Sequence, residues 1–288
     1  MIYTEPAYAK LNLTLDILGK RPDGYHNMQM VMTSIDLQDT ITLSVLDNPG
    51  LQVSTNLSFL PNNDQNLAAK AALHFFTTTG IAPSGLSIDI HKSIPVCAGM
   101  AGGSSDGAAV LRIMRRAFLP DMPQQQLEEI GALVGSDVPY CVRGGTALAE
   151  GRGEILTDLP PLPPCWFVIC KPNFPISTPE LFAQVRAKKL RCHPDTTGMI
   201  AALEQGDLEG IAHRMYNVFE DILPRKYSLI FEIKRELLEY QALAASMTGS
   251  GPTVFGLFRD AETAQIAADA LKEQFPATFI CKNVQAFG

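Results

Sequence analysis

The segment of this 288-residue chain most suggestive of chemistry is a run of small residues, Ala98-Gly99-Met100-Ala101-Gly102-Gly103, leading into Ser104-Ser105-Asp106. Glycine lets a backbone curl so that successive N–H groups point into one concavity. The Ala/Leu/Arg-rich stretch after the loop predicts a helix stopping near Pro120. The start of such a helix adds unpaired N–H donors and a positive dipole end. That combination suits a phosphate, and the Ser104 and Ser105 hydroxyls can reach a phosphate oxygen or a metal. Lys92 lies shortly upstream. The loop is not a Walker A motif, because Asp106 stands where that motif would end in Lys-Ser/Thr. A plain strand-to-helix connection would use glycines in the same way, so the loop alone leaves both readings open.

Composition narrows the choice. With 23 Lys and Arg against 30 Asp and Glu, the formal net charge is −7. A general nucleic-acid binder needs a basic face, so that class is disfavoured, and a chain handling a polyphosphate must concentrate its donors locally. Hydrophobic residues at 46 % and charged residues at 18 % indicate a globular chain long enough for two cores. The six cysteines (Cys97, Cys141, Cys165, Cys170, Cys192, Cys281) form no C-x-x-C pair and no His cluster. They read as reduced thiols, neither zinc site nor disulfide framework. No signal peptide and no membrane-length apolar run is visible, which predicts a cytoplasmic protein.

Periodicity gives the positioning elements. From Ala7 to Ile17 the chain alternates, with Leu11, Leu13, Leu15 and Ile17 on one face and Lys10, Asn12, Thr14 and Asp16 on the other, which predicts a half-buried strand. Arg21-Pro22-Asp23-Gly24 is a turn. Strands are expected at Thr40–Leu46, Leu51–Thr55 and Leu86–Ile90, with a helix over Asn66–Thr79 capped by Gly80. Pro123–Val134 is a further helix. Pro160-Pro161-Leu162-Pro163-Pro164 marks the expected domain boundary. Beyond it come a strand Cys165–Cys170, helices Pro179–Lys189, Thr196–Glu204, Leu208–Ile222 and Tyr227–Tyr240, strands Leu243–Met247 and Thr253–Phe258, a helix Ala261–Gln274 and a last strand Thr278–Val284. Strands bracketing helices suggest an α+β sandwich.

Three segments in fixed order resemble the three motifs of the GHMP kinases: Pro6-Ala7-Tyr8-Ala9-Lys10-Leu11-Asn12-Leu13, Pro95 through Ser105, and Met247-Thr248-Gly249-Ser250-Gly251-Pro252. Two more, Arg21-Pro22-Asp23-Gly24-Tyr25-His26 and Gly135-Ser136-Asp137-Val138-Pro139-Tyr140, resemble the branch that phosphorylates the 2-hydroxyl of a cytidine-diphosphate-linked methylerythritol in the non-mevalonate isoprenoid pathway. The resemblance implies a two-domain α+β/α/β GHMP fold, ribosomal-protein-like over residues 1–160 and ferredoxin-like over 161–288. It implies ATP as donor, with Mg²⁺ expected from the chemistry. Cys97 and Ala101 depart from the family's glycines or very small residues, Met100 from its commoner Leu, and Tyr140 from its usual Phe.

Residue roles come from the same resemblance. Lys10 and Asp137 are the implied catalytic pair: Asp137 accepts the hydroxyl proton or orients the hydroxyl, and Lys10 stabilises charge on the γ-phosphate. Taken alone, each would read as a surface residue. Pro95, Ala98, Gly99, Met100, Ala101, Gly102, Gly103, Ser104 and Ser105 are the implied nucleotide cradle, joined by Asn66 and Lys92. Asn12, Tyr25, His26, Thr178, Phe182, Gly249 and Ser250 are implied for the acceptor. Tyr25 can stack on cytosine, His26 can pair with its polar edge, and the Thr248–Gly251 turn can form an anion nest. For Phe182 a core helix residue is the alternative, for the Thr248–Gly251 turn a plain hairpin, and Glu150–Glu154 reads as a solvated turn. Rival readings are another GHMP kinase of the homoserine or mevalonate type, which Tyr25-His26 argues against, and a catalytically silent nucleotide-binding relative, which Lys10 with Asp137 argues against. A ribosomal-like nucleic-acid module conflicts with the charge. No metal ligand and no oligomeric state is legible.

Overall fold

The computed structural model describes residues 1–82, 85–185, 190 and 192–287. Two long antiparallel strands, β1 (Ile2–Lys20) and β2 (His26–Leu46), form its spine. Next come β3 (Leu51–Thr55), α1 (Leu67–Thr79), β4 (Gly85–His91), α2 (Gly102–Phe118), α3 (Gln124–Val134), α4 (Val138–Arg143), β5 (Thr146–Gly151) and β6 (Ile155–Asp158). The second half runs β7 (Trp166–Cys170), α5 (Thr178–Gln184), α6 (Thr196–Gln205), α7 (Leu208–Arg214), β8 (Tyr216–Asn217), α8 (Leu229–Glu239), β9 (Ala244–Met247), β10 (Val254–Phe258), α9 (Ala261–Gln274) and β11 (Thr278–Val284).

Among the described residues the strands join in one 11-stranded sheet with the path β3-β4-β2-β11-β7-β10-β9. β1 pairs with β2 and β8, and β5 with β2 and β6. The expected proline segment connects β6 to β7, yet β11 returns to pair with β2 at Asn283–Ile35 and Val284–Ser34, so the sheet runs through both halves.

β1 departs from its sequence reading in an informative way. Its pairing with β2 shifts register between Tyr8 and Ala9, Asn12 and Thr14, and Ile17 and Gly19. A bulge adds a residue to one strand and re-aims the side chains beyond it. Ala9, Leu11 and Leu13 therefore enter a core shared with Phe167, Ile211 and Phe255, whereas Ala7, Leu15 and Ile17 enter one shared with α1, α2 and α3. The strand is also not half-buried: Lys10, Asn12, Thr14 and Asp16 are buried too. Two of the bulges bracket Lys10 and Asn12.

Other expectations hold with adjusted ends. Asn66 caps α1 by accepting from the Ala68 N–H, and Gly80 closes it in the left-handed region. The expected helix Pro179–Lys189 is α5, with residues 186–189 outside the described ones. Leu208–Ile222 is not one helix. α7 stops at Arg214, because Tyr216 and Asn217 pair in parallel with Thr14 and Leu15 and the Asn217 side-chain oxygen accepts from the Phe219 N–H to start a short 3-10 turn. The hairpin β5–β6 has no counterpart in the sequence reading.

Candidate active site

Lys10 owes its place to three segments distant in sequence. Its backbone N–H donates to the Met100 carbonyl of the glycine loop at 3.1 Å. Its ammonium donates to Asn12 Oδ1 at 2.6 Å. That oxygen also accepts from the Gly249 N–H at 2.9 Å and the Thr248 hydroxyl at 3.3 Å, so the strand and turn motifs meet on one side-chain carbonyl. The loop and turn touch directly as well. A Cβ on Gly99 would stand 2.3 Å from the Thr248 carbonyl oxygen, and one on Gly249 2.8 Å from the Gly99 oxygen; both residues have positive φ. Only glycine allows this approach. Asn217 completes the joint by donating to the carbonyls of Met247 and Gly249 at 2.7 and 2.9 Å.

Burial lowers the pKa of Lys10, and the charge of Asp137 works against that effect. Asp137 sits half-buried just before α4 with its carboxylate not spent on capping the helix. Behind it the Tyr140 hydroxyl donates to the Gly145 carbonyl at 2.7 Å and lies 3.1 Å from Ser34 Oγ. The departure from Phe thus places a buried, partnered hydroxyl on α4, the helix that Asp137 precedes.

Two cavities meet at the glycine loop. The larger, about 1030 Å³, is lined by Lys10, Asp137, Tyr25, His26, Thr178, Phe182, Gly249 and Ser250. The smaller, about 320 Å³, is lined by Asn66, Lys92, Pro95, Ala98, Met100, Gly102 and Gly103. Cys97, Gly99, Ala101 and Ser104 line both. Cys97 and Ala101 adopt φ of 54° and 59°, a region non-glycine residues seldom enter, at the two positions where the sequence departs from small-residue expectation. Past Ala101, the N–H groups of the first turn of α2 lack intrahelical partners, as at any helix start.

The aromatic end of the larger cavity is ordered by stacking. His26 lies on Phe182 with ring centroids 5.1 Å apart, and Phe182 meets Phe219 edge-on at 5.0 Å. Phe182 is therefore both packed and cavity-facing, which resolves the core-or-pocket alternative into both. Burial and the neighbouring Lys20 lower the pKa of His26, favouring a neutral imidazole. Tyr25 projects from the turn, 56 % exposed. The Thr178 and Ser250 hydroxyls, which also line this cavity, lie 2.6 Å apart.

Four expected contacts have their polar groups engaged within the protein. Asn12 lines neither cavity, its oxygen being occupied as described. Ser105 lines neither, because its hydroxyl donates to the Tyr8 carbonyl at 2.5 Å. Lys92 lines the smaller cavity, but its ammonium is buried in ion pairs with Asp39 and Asp106. Asp39 also accepts the N–H groups of Ser93 and Ile94 at 2.5 and 2.8 Å. Asp106 keeps Oδ1 buried without a partner, and burial pushes its carboxyl up to about 7. Asn66 spends its amide on the α1 cap and on the Pro61 carbonyl.

Sequence reasoning missed Arg152, Lys20, Asp39 and Asn217. The Glu150–Glu154 segment is not merely a solvated turn: Arg152 lines the larger cavity, and Gly153 approaches Asp137 closely enough that a Cβ there would lie 3.7 Å from Oδ1. Its Gly-Arg-Gly spacing was the available signal.

The family description "GHMP kinases N terminal domain" matches residues 66–145 and "GHMP kinases C terminal" residues 199–277. A Clostridium botulinum (strain Kyoto / Type A2) 4-diphosphocytidyl-2-C-methyl-D-erythritol kinase is 44 % identical over 96 % of this chain and 99 % of its own. The chain belongs to the GHMP kinase family. A Clostridium kluyveri kinase of the same name is 42 % identical over the same shares. A solved 4-(cytidine 5'-diphospho)-2C-methyl-D-erythritol kinase superposes with a TM-score of 0.83 at 28 % identity, covering 99 % of this chain and 100 % of that one. Homoserine kinase from Cytophaga hutchinsonii, at 19 % identity and TM-score 0.77 over 99 % and 95 % of the two chains, shares the fold. As a GHMP kinase the chain is an ATP-dependent small-molecule kinase with the two-domain fold of that family. Among the described residues no helix is long and apolar enough to cross a membrane.

Proposed function

We propose that the chain transfers the γ-phosphoryl group of ATP to the 2-hydroxyl of 4-diphosphocytidyl-2-C-methyl-D-erythritol. The observation that carries this reading is one cavity holding the Lys10–Asp137 pair at the glycine loop and the His26–Phe182 stack at its other end. A base needs an aromatic face and a polar edge, and a phosphoryl acceptor needs a carboxylate and a cation. In this reading Asp137 orients the hydroxyl and accepts its proton, while Lys10 and the N–H groups at the start of α2 stabilise charge on the transferring group.

The smaller cavity takes the nucleotide, with Asn66 and Lys92 shaping its wall rather than gripping phosphate. Magnesium would arrive with ATP, keeping waters and phosphate oxygens as most of its ligands. Among the described residues no group of three His, Cys, Asp or Glu side chains that could hold a metal ion occurs. Ser104, at the junction of the two cavities, is the residue that would hold it, and the ion would neutralise phosphate charge. The proposal also divides the chain near residue 160, between the two family matches. It places the enzyme in the cytoplasm with no nucleic-acid partner, in keeping with its charge.

The test is ADP release with Mg-ATP and an acceptor panel of 4-diphosphocytidyl-methylerythritol, methylerythritol 4-phosphate, homoserine, mevalonate and galactose. Turnover confined to the cytidine-bearing acceptor is the expected result. Turnover with homoserine or mevalonate instead would discard the base pocket, and no turnover from a folded, ATP-binding protein would discard the acceptor assignment.

A further inference from the structure

Arg112 lies mid-helix on α2, in an unbroken run of buried residues from Ser105 to Met114, with its side chain 6 % exposed. Among the described residues no other arginine is buried, and Arg112 lines neither cavity. An apolar residue of similar length would fill this space without taking a charge out of water. The use of a guanidinium must therefore be sought in what its donors hold.

All three of its nitrogens are engaged. Nε donates to Glu5 Oε1 at 3.1 Å, one terminal nitrogen to the Pro6 carbonyl at 2.8 Å, and the other to the Cys141 carbonyl at 2.7 Å. The Phe287 ring covers the guanidinium, its centre 3.6 Å from the central carbon, and stacks on Tyr8 at 5.5 Å. The two carbonyls belong to the segments that carry Lys10 and Asp137. Pro6 precedes Lys10 by four residues on β1, just before the register shift between Tyr8 and Ala9. Cys141 lies one turn along α4 from Asp137, and its N–H donates to the Asp137 carbonyl at 3.0 Å. Its own carbonyl falls in the last turn of that helix, where no intrahelical donor remains.

A second tie comes from the same side of α2. Ser105, about two turns before Arg112, donates to the Tyr8 carbonyl at 2.5 Å. The helix thus presents its first-turn N–H groups at the glycine loop, fixes β1 at Tyr8 and Pro6, and holds α4 through Arg112. Ser105 reaches the strand alone, whereas Arg112 reaches strand and helix together. A planar guanidinium fork fixes the spacing of the acceptors it joins, which a flexible ammonium does not.

Resting on the Lys10–Asp137 pair of the proposed function, we propose that Arg112 is a positioning residue for phosphoryl transfer, setting the separation of that pair by bridging the Pro6 and Cys141 carbonyls. It acts through β1 and α4 and touches no substrate, so its contribution falls on turnover and not on binding.

The experiment is steady-state ADP release, with Mg-ATP and 4-diphosphocytidyl-methylerythritol each varied, for wild type, Arg112→Met, Arg112→Lys, Lys10→Ala and Leu271→Ala. Leu271 is buried on α9 and lines neither cavity, so its variant reports lost stability alone. Thermal unfolding gives each Tm, and the assays run well below the lowest. Arg112→Met removes the fork, and Arg112→Lys keeps a charge beside Glu5 without a fork to span two carbonyls. Arg112→Met should lower kcat about 10- to 100-fold and Arg112→Lys about tenfold, with both KM values within about threefold of wild type. Leu271→Ala should keep kcat within about twofold despite its lower Tm. Wild-type kcat in both Arg112 variants, or a rise in KM without loss of kcat, would overturn the proposal. A kcat loss that Leu271→Ala reproduces would reduce Arg112 to a prop for the fold. If Arg112→Met does not fold, Arg112→Lys decides by the same criterion. Full turnover by Lys10→Ala would strike the catalytic pair itself, whereas an inactive Lys10→Ala beside fully active Arg112 variants would refute the role of Arg112 alone.

Discussion

Replacing Asn12 by Leu tests the joint that holds the strand and turn motifs together. The two side chains are similar in size and the site is fully buried, so the change removes an acceptor without opening a large cavity. Asn12 Oδ1 accepts from Lys10 Nζ at 2.6 Å, Gly249 N–H at 2.9 Å and the Thr248 hydroxyl at 3.3 Å. Loss of a hydrogen bond to a charged donor costs about 1.5–3 kcal/mol, and a buried N–H left unpaired about 1–3 kcal/mol. Thr248 retains the Gly99 carbonyl at 3.3 Å and adds little. The expected destabilisation is therefore about 3–5 kcal/mol.

The same change should act on the chemistry. Lys10 loses the acceptor that fixes its ammonium, and a displacement on the order of 1 Å at a reacting group costs about 10² in rate. Denaturant midpoints with unchanged m-values give the first quantity, and steady-state ADP release with saturating substrates gives the second. Asn12→Asp preserves an acceptor for every donor, so at pH 7 it should keep more of the stability. Its kcat should still fall, because the new carboxylate neutralises Lys10. An Asn12→Leu protein within about 1 kcal/mol of wild type in stability and about threefold in kcat would refute the reasoning.

Lys10→Ala should lower kcat by about 10²–10³ in a folded protein, as removal of one transition-state donor does elsewhere; near-normal turnover would remove Lys10 from the mechanism. Tyr25→Ala should raise KM for a cytidine-bearing acceptor and leave KM for ATP nearly unchanged, and equal effects on both would sink the stacking role. Asp106 has its carboxyl pushed up to about 7, so between about pH 4 and 7 the folded chain holds a proton that the unfolded chain has released. Its contribution to stability is greatest at low pH and is lost as pH rises through 7; the Tm difference between wild type and Asp106→Asn should therefore move against wild type from pH 5 to pH 8, and a constant difference would contradict the assignment. Lys92→Met should destabilise by about 3–5 kcal/mol, because it strands Asp39 and Asp106 in the interior, with a weaker nucleotide grip as the secondary effect. An unfolding curve matching wild type would show that the buried pairs contribute nothing.

The glycine loop was legible in the sequence because its physics is local: small residues, a helix start and two hydroxyls lie close together in one short run. Motif order extended this to Lys10, Asp137 and the Tyr25-His26 turn, all of which the fold brings to one cavity. The features that stayed hidden depend on long-range pairing. Arg152 looked like part of a solvated turn because nothing local says that β5 lies beside β2 and carries the turn to Tyr25. Asp39 sits mid-strand with no motif, and its partners Lys92, Ser93 and Ile94 come 53 to 55 residues later. The alternation of β1 gave the correct neighbours for Lys10 and Asn12, whereas parity cannot register a bulge, so the two apolar sets were merged into one face.

The two lysines near the loop, read from the sequence as a catalytic residue and a nucleotide contact, are held in opposite ways. Lys10 is held by a neutral amide carbonyl, so its positive charge remains uncompensated at short range and is opposed only by the more distant Asp137. Lys92 is held by two carboxylates, so its charge is cancelled where it stands. A ligand phosphate gains from the first ammonium and little from the second. Burial penalises both, yet only at Lys10 does approaching phosphate relieve the penalty, because a buried charge without a counter-charge is stabilised most by the arrival of its opposite. In the proposed mechanism the choice of Asn rather than Asp at position 12 is therefore part of the chemistry: a carboxylate there would hold Lys10 as firmly and neutralise the charge that the mechanism assigns to phosphoryl transfer.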